Sequence, residues 1–370
     1  MKKRVILREA CFVCSSPYQI ISTISIQKTN KFDADLYIFG TFPDYEILAS
    51  KIQQQSLFSN VYTIDLKKVG LRGWWAKLKR TVLVNTVIGK FLDKRASYKL
   101  FFFSSRSSIK SAMLKTLLSR NPDMRIIVFE DGMGAYSDNN SSLVVSRTRR
   151  LVEKMLRWDL VDPQRTTFMA YMPQLVHYGP PFDVCSVEQL PRFKPTEDNQ
   201  RLLFELFSVP DDGKINEKCI IFDSKRQGTT LLSVDQMALM DQCYEVVARH
   251  IDRKEIILKP HPRSTETAPG DYKGYPYQGI PMEVLYSDMP DIHNRILISF
   301  VSTAVFTPKI FYDAEPIVIC LHHIVNDNRI SRNYDGIFEK FHNTYRDKGR
   351  VFAPASLEEL DLIMRRIAEM

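Results

Sequence analysis

Arg125-Ile126-Ile127-Val128-Phe129-Glu130-Asp131-Gly132 decides the fold. A short apolar run, rich in β-branched and aromatic side chains, reads as a strand and stops abruptly at two carboxylates and a glycine. The same arrangement recurs downstream. Pro260-His261-Pro262-Arg263 follows the strand-like Glu255–Lys259, and Ser299 with Ser302-Thr303 follows Arg295–Ile298. In open α/β sheets, ligands bind beyond the carboxyl ends of strands. Chemistry placed there three times predicts one site assembled from distant stretches of chain. A paired carboxylate, a lone histidine and a hydroxyl cluster are the groups needed to activate an acceptor hydroxyl and release a phosphate. That set points to glycosyl transfer from a nucleotide sugar.

Outward from these motifs, strand-like and helix-like segments alternate. Ala10–Cys14, Ala34–Gly40, Val61–Leu66 and Leu100–Ser104 read as further strands, with helices at Tyr18–Gln27, Asp44–Gln54 and Ser107–Arg120. From Val145 to Val176 the pattern reads as helical and basic, and the Pro-rich, polar stretch near residues 180–215 reads as a linker. Alternation then resumes. Lys218–Phe222 and Ile317–Leu321 are strands, while Ser233–His250, Ser302–Tyr312 and Ser356–Met370 are helices. Such alternation implies βαβ units and parallel sheets. At 370 residues, two domains are the natural division. We expect an α/β, GT-B chain of two Rossmann-like, doubly wound domains facing a cleft. Residues 1–190 form an acceptor-side domain and residues 191–370 a nucleotide-sugar domain, with the last helix free to return to the first domain.

The formal charge of +8 favours an anionic partner, such as a nucleotide, an acidic glycan, a lipid surface or a nucleic acid. No zinc-finger, RRM or KH pattern supports nucleic acid. Lys67–Arg80, which carries Trp74 and Trp75 among its cations, suits an anionic membrane interface; Arg147–Arg157 is a second basic stretch. A solvated helix face is the default reading for each. The six cysteines are scattered, and several lie in apolar runs. They read as buried reduced thiols; Cys11 and Cys14 have metal spacing but no second Cys/His pair, so no metal site is expected. No run reaches the roughly 20 apolar residues of a membrane span, and no targeting segment is evident. We expect a cytoplasmic protein, with peripheral placement at the inner face of the cytoplasmic membrane as the alternative.

Each motif has a plain structural reading beside its chemical one. Glu130 or Asp131 offers a base at a strand end, and Gly132 permits positive φ, but acidic-Gly turns are common. His261, stiffened by Pro260 and Pro262 and flanked by Lys259 and Arg263, suits a phosphate contact or acid; it also suits a turn cap. Ser299, Ser302 and Thr303 suit either a helix cap or a phosphate site. Lys309 further along is a ligand or a solvated cation. Ser15 and Ser16, in the first strand-to-helix turn, line an acceptor pocket or cap a helix. That turn lacks the glycines of a dinucleotide fingerprint, which disfavours an NAD site.

Together the motifs Phe129–Gly134, Lys259–Arg263 and Phe300–Ala304, with the Cys14–Ile20 stretch, resemble bacterial sialyltransferases. The resemblance is to glycosyltransferase family 52, the lipooligosaccharide sialyltransferases, and to the related family 38 polysialyltransferases. It implies a GT-B fold, CMP-sialic acid as donor with no cofactor, inversion at the anomeric carbon and no metal. By the same resemblance His261 is the general acid or phosphate contact, with Ser302 and Thr303 near the phosphate. The base maps to Glu130 or Asp131 on the polysialyltransferase pattern, and to Asp223 on the family 52 pattern. The acceptor implied is a galactose-terminated surface glycan or glycolipid, of lipooligosaccharide or capsule. A polysialyltransferase and another GT-B enzyme, such as a glucosyltransferase, remain the enzymatic alternatives. A non-catalytic glycan- or membrane-binding protein is the lesser one, and a homodimer is left open.

Overall fold

A computed structural model describes residues 6–65, 88–89, 91–104, 107–136, 165–176, 186–211, 213–223, 234–260, 272–277, 279–300, 302–324 and 328–369. The chain divides into two compact units, Met1–Phe193 and Lys194–Met370. Each carries its own parallel sheet, so the expected α/β chain of two Rossmann-like domains, as in a GT-B fold, is what the structure shows.

In the first unit the strands are β1 (Ile6–Cys14), β2 (Ala34–Phe39), β3 (Asn60–Ile64), β4 (Ala96–Phe103), β5 (Arg125–Phe129), β6 (Thr166–Ala170) and β7 (Ser186–Gln189). They lie in the order β3-β2-β1-β4-β5-β6-β7, with every pairing parallel. The order reverses between β1 and β4, where Val13 pairs with both Tyr37 and Phe103. Strands covered on both faces need near-continuous apolar sequence, and β2 and the second half of β1 are buried throughout. Phe12 stacks on Phe102 at 4.4 Å between centroids, tying the switch-point strands together.

Helices among the described residues punctuate this sheet. Helix α1 (Pro17–Asn30) starts where Ser16 accepts a hydrogen bond from the Gln19 amide and Pro17 supplies a preset φ. It is buried from Gln19 to Gln27, so it is a core helix. Asp44 precedes α2 (Tyr45–Gln54), and Ser107 caps α3 (Ser108–Leu118) through the Lys110 amide.

Two sequence expectations change here. Thr166–Ala170, read as part of a helical stretch, is strand β6. Its β-branched Thr166-Thr167 and Phe168 pair with Ile126–Val128, and sheet pairing overrides the basic, helix-like context upstream. The stretch read as linker contains β7 and helix α4 (Glu197–Phe207). As the last strand of the sheet, β7 is polar and partly exposed, which makes it read as loop. The buried Leu202, Leu203 and Leu206 give α4 one apolar face, and Thr196 caps it.

The second unit contains β8 (Cys219–Asp223), β9 (Ile256–Pro260), β10 (Lys273–Gly274), β11 (Ile296–Ser299), β12 (Ile317–Cys320) and β13 (Val351–Phe352). Their order is β10-β9-β8-β11-β12-β13, again all parallel, with the reversal between β8 and β11. Helices α5 (Val234–Ala248), α6 (Met282–Tyr286), α7 (Thr307–Tyr312), α8 (Asn328–His342) and α9 (Leu357–Ala368) complete it. The closing helix α9, expected to be free to return to the first domain, sits in the second unit's core. Its Leu360, Met364 and Ile367 join Tyr244 and Val247 of α5 and Ile319 of β12. The helix expected over Ser302–Tyr312 is instead a 3-10 turn, Thr303–Phe306, followed by α7. Pro308 in the first turn of α7 presets a fresh helix start there. No helix among the described residues is long and apolar enough to cross a membrane.

Candidate active site

At the carboxyl edge of the first sheet, β5 delivers Glu130 and Asp131 into different environments, as adjacent side chains on an extended backbone must. Glu130 is buried to 1% exposure, while Asp131 is exposed. Three donors converge on the Glu130 carboxylate. Tyr18 donates to Oε1 at 2.5 Å, the Tyr171 amide donates to Oε2 at 2.8 Å, and the Tyr136 hydroxyl also donates to Oε2. The Glu130 amide is held by the Met169 carbonyl of β6 at 2.9 Å. Tyr136 in turn accepts from the Met172 amide at 3.2 Å, and the Tyr171 hydroxyl donates to Ser22 Oγ at 3.1 Å. Glu130 is thus fixed by α1, the turn after β5 and the end of β6.

Burial dominates its proton affinity. Desolvation lifts the Glu130 carboxyl from its ordinary 4.5 to about 7, against the three hydrogen bonds that favour the ionised form; Asp131's charge adds to the rise. Burial and the adjacent carboxylate push the Tyr18 and Tyr136 phenols well up, so they remain donors. Gly132 has φ of +82°, the left-handed conformation its sequence context allowed. This turn directs the chain away after Asp131.

Beside this carboxylate stands a buried cation that the sequence reading passed over. Lys110, in the first turn of α3, is 3% exposed, and its Nζ donates to Ser15 Oγ at 3.3 Å. Burial pulls it down to about 8, while the charges of Asp131 and Cys14 hold it up. Ser15 is fixed by Gln19, whose Oε1 accepts from its amide at 2.7 Å and its hydroxyl at 3.0 Å. Ser104, at the end of β4, is fully buried, and its Oγ has no hydrogen-bond partner among the described residues. Ser15, Ser104, Lys110, Glu130 and Asp131 therefore gather at one sheet edge around the switch point. A cation in a helix's first turn opposes the helix dipole, and that misplacement was the legible sign of Lys110. Tyr18, Tyr136 and Tyr171 carried no such sign, because tyrosines in apolar segments read as core.

Cys11 and Cys14 are buried free thiols. Burial pushes Cys14 to about 12 and Cys11 well above its ordinary value. Both stay protonated at neutral pH, which suits packing and disfavours a nucleophile or metal ligand.

In the second sheet, Asp223 ends β8 opposite Pro260 of β9, and Ser299 ends β11 opposite Phe222 and Cys320. These ends flank the second switch point. Ser299 is 2% exposed and its Oγ accepts from the Ser302 amide at 2.6 Å; Ser302 Oγ accepts from the Ala304 amide at 3.3 Å. Both hydroxyls thus shape the turn that opens Thr303–Phe306. Lys259 places its Nζ 4.8 Å from the Tyr275 ring centroid, and burial lowers its pKa against the charge of Glu283. Lys309 is not a solvated cation. It is 4% exposed and pairs with Glu315 at 2.5 Å and Asp313 at 2.7 Å.

His261, Pro262 and Arg263 lie outside the described residues, as do Trp74, Trp75 and the basic stretch Arg147–Arg157. Of Asp223 and Thr303, only the backbone is described. Pro260, the residue before His261, ends β9 beside the carboxyl end of β8.

The described residues of the strand-end motifs thus fall on the carboxyl edges of two switch-point sheets. A family model for alpha-2,8-polysialyltransferase matches residues 11–321. The chain belongs to the alpha-2,8-polysialyltransferase family. This places it among the sialyltransferases through the polysialyltransferase branch of the resemblance; the match does not extend to family 52. No curated protein matches the chain. Among solved structures, proximal thread matrix protein 1 from the mussel byssus aligns over 99% of this chain and 96% of its own, at 10% identity and a TM-score of 0.20. At that level the likeness carries no argument about fold or function.

Proposed function

We propose that the chain is an inverting, metal-independent sialyltransferase. It moves sialic acid from CMP-sialic acid to a galactose-terminated glycan or glycolipid of lipooligosaccharide or capsule. The observation that carries this is the Glu130 carboxyl, buried at a strand end, fixed by Tyr18, Tyr136 and the Tyr171 amide, and raised to about 7. A general base works best with a pKa near the working pH. Oε1 accepts only the Tyr18 hydrogen bond among the described residues, so one lone pair remains for an acceptor hydroxyl.

In the proposed reaction, the acceptor oxygen attacks the anomeric carbon of sialic acid and the bond to the CMP phosphate breaks. Glu130 takes the hydroxyl proton. His261 gives a proton to the departing phosphate oxygen. Lys110, Ser15 and Asp131 orient the acceptor, with Lys110 near its sugar hydroxyls or carboxylate. Lys259, Arg263, Ser299, Ser302 and Thr303 favour the phosphate, in the place a metal would otherwise take. Gly132 and Pro262 shape the two loops, and Asp223 remains a second candidate base. The transition state is oxocarbenium-like, so fixed hydrogen bonds and a protonated leaving group supply most of the rate gain. Trp74 and Trp75 with their basic neighbours would hold the enzyme at the inner face of the cytoplasmic membrane, near a lipid-linked acceptor.

The test is CMP release from CMP-sialic acid with EDTA present, with and without a galactose-terminated acceptor. Acceptor-dependent release with a sialylated product supports the reading. Consumption of other sugar nucleotides instead would overturn the donor, and silence with every donor would favour a binding protein. The family match favours a second reading, chain elongation on a sialylated acceptor, and product length on a defined acceptor separates it from single transfer.

A further inference from the structure

Beyond the carboxyl end of β12, the turn carries His322 and His323, and Asp335 of α8 lies against them. The two imidazoles share one carboxylate oxygen. His322 Nε2 is 3.1 Å from Asp335 Oδ1, and His323 Nε2 is 2.6 Å from the same atom. The ring centroids are 4.2 Å apart, and the ligand atoms of all three residues lie within 4.8 Å of one another. None of these residues belongs to the transfer site described above.

We propose that His322, His323 and Asp335 form a binding site for a borderline divalent cation of the Zn2+ class, with a solvent-facing fourth position. Imidazole and carboxylate are the ligands such ions take, at about 2.0–2.2 Å. Ligand atoms around a tetrahedral ion of that radius stand about 3.3–3.5 Å apart. The two nitrogen–oxygen spacings fall short of that and the 4.8 Å span exceeds it, so the cluster must rearrange by up to about 1.4 Å to take an ion. Asp335 and His323 can supply that movement, since their side chains are 43% and 36% exposed. His322 is fully buried and fixes the inner wall.

In both imidazoles Nε2 is the atom that faces Asp335, while Nδ1 of His322 is buried with no hydrogen-bond partner among the described residues. Tyr334 and Phe338 flank His322, each with its ring centroid 5.8 Å away, giving the apolar shell that shields an inner ligand. The bound ion would tie the end of β12 to α8, one strand from Ser299, which pairs with Cys320. Its role is to hold that edge, so it stands apart from the transfer chemistry proposed above.

The experiment uses tag-free, full-length protein. Co2+ is titrated and followed by its visible d–d bands, Zn2+ is titrated by calorimetry, and the melting temperature is read with and without Zn2+. We expect one Co2+ per chain, displaced by Zn2+, no thiolate charge-transfer band, and a higher melting temperature with Zn2+. His323→Ala and Asp335→Asn should each weaken binding by at least about tenfold and abolish the melting shift. Both side chains are partly exposed, and an unchanged metal-free melting temperature confirms that the variants fold. Absence of binding, a thiolate band, or binding that survives both substitutions would each overturn the site.

Discussion

Replacing Glu130 by Gln should make the first domain more stable at alkaline pH while destroying transfer. The folded state raises this carboxyl from 4.5 to about 7, so the folded protein binds its proton more tightly than the unfolded chain does. A raised carboxyl contributes stability below its unfolded value and loses that contribution as pH rises through the folded one. The loss lies between about pH 4.5 and 7 and amounts to about 3 kcal/mol, from roughly 1.4 kcal/mol per unit. Glutamine has the same shape and no charge. Its carbonyl can take the Oε2 place between Tyr136 and the Tyr171 amide, and its amide can donate to a Tyr18 hydroxyl that has turned round. Any cost of that exchange is independent of pH and cancels in a comparison across pH. The melting difference between variant and parent should therefore swing in the variant's favour by about 6–12 °C between pH 4.5 and 8, at about 2–4 °C per kcal/mol for a domain of this size. Calorimetry of the first domain's transition reads the swing. CMP release at pH 8 should fall by about 10²–10⁴, the usual contribution of a general base. A flat melting difference would refute the buried, raised carboxyl. Retained turnover would move the base to Asp131, and Asp131→Asn would then carry the loss.

Tyr18→Phe removes one hydrogen bond that favours ionised Glu130, so the acidic limb of kcat/KM should move up by about 1–2 units, as a bond to a charged group is worth about 1.5–3 kcal/mol. An unmoved limb would show that Tyr18 does not touch the working base. Lys110→Met should remove the alkaline limb, expected near its lowered value of about 8, and reduce kcat/KM by about 10–100-fold with little change in melting. If the parent enzyme shows no decline through that range, Lys110 is a packing residue. Lys309→Met leaves buried Glu315 without its closest cation and should cost about 3 kcal/mol, with turnover intact below the new melting temperature. The interaction also holds Glu315 below its usual value, so its contribution is present at neutral pH and fades as pH falls into the carboxylate range. A selective loss of turnover would reinstate Lys309 as a ligand.

The fold was largely legible because parallel strands covered on both faces announce themselves as apolar runs. Arg125–Phe129 appears at its expected bounds, and Ala34–Phe39 and Ile317–Cys320 lie within one residue of theirs. Some of what escaped was polar or short. Edge strand β7 has no buried face to enforce a pattern, whereas α8 carries Ile330, Tyr334, Ile337, Phe338 and Phe341 at helical spacing, a signal the sequence reading left unused. The strand-end residues were legible for a related reason, since an apolar run interrupted by Glu-Asp-Gly or Pro-His-Pro marks where the backbone leaves the sheet. Their partners were not legible. Lys110, Tyr136 and Tyr171 reach Ser15 and Glu130 only after β1, α3, β5 and β6 are laid side by side.

That dependence on packing bears on how the site works. A carboxylate on an exposed loop would titrate near 4.5 and be a weak base at neutral pH. Glu130 gains basicity because the packing of β5, β6 and α1 buries it, and that burial outweighs the Tyr136, Tyr18 and Tyr171 hydrogen bonds that favour its ionised form. Lys110 is lowered by the same burial, so the two groups approach one another in pKa, at about 7 and about 8. Between those values the carboxylate is ionised enough to accept a proton while the lysine still carries charge. Below the window the base is protonated; above it the cation is lost. The stability that the first domain forfeits by burying an ionised glutamate and a cation at one sheet edge is what sets this window near neutral pH.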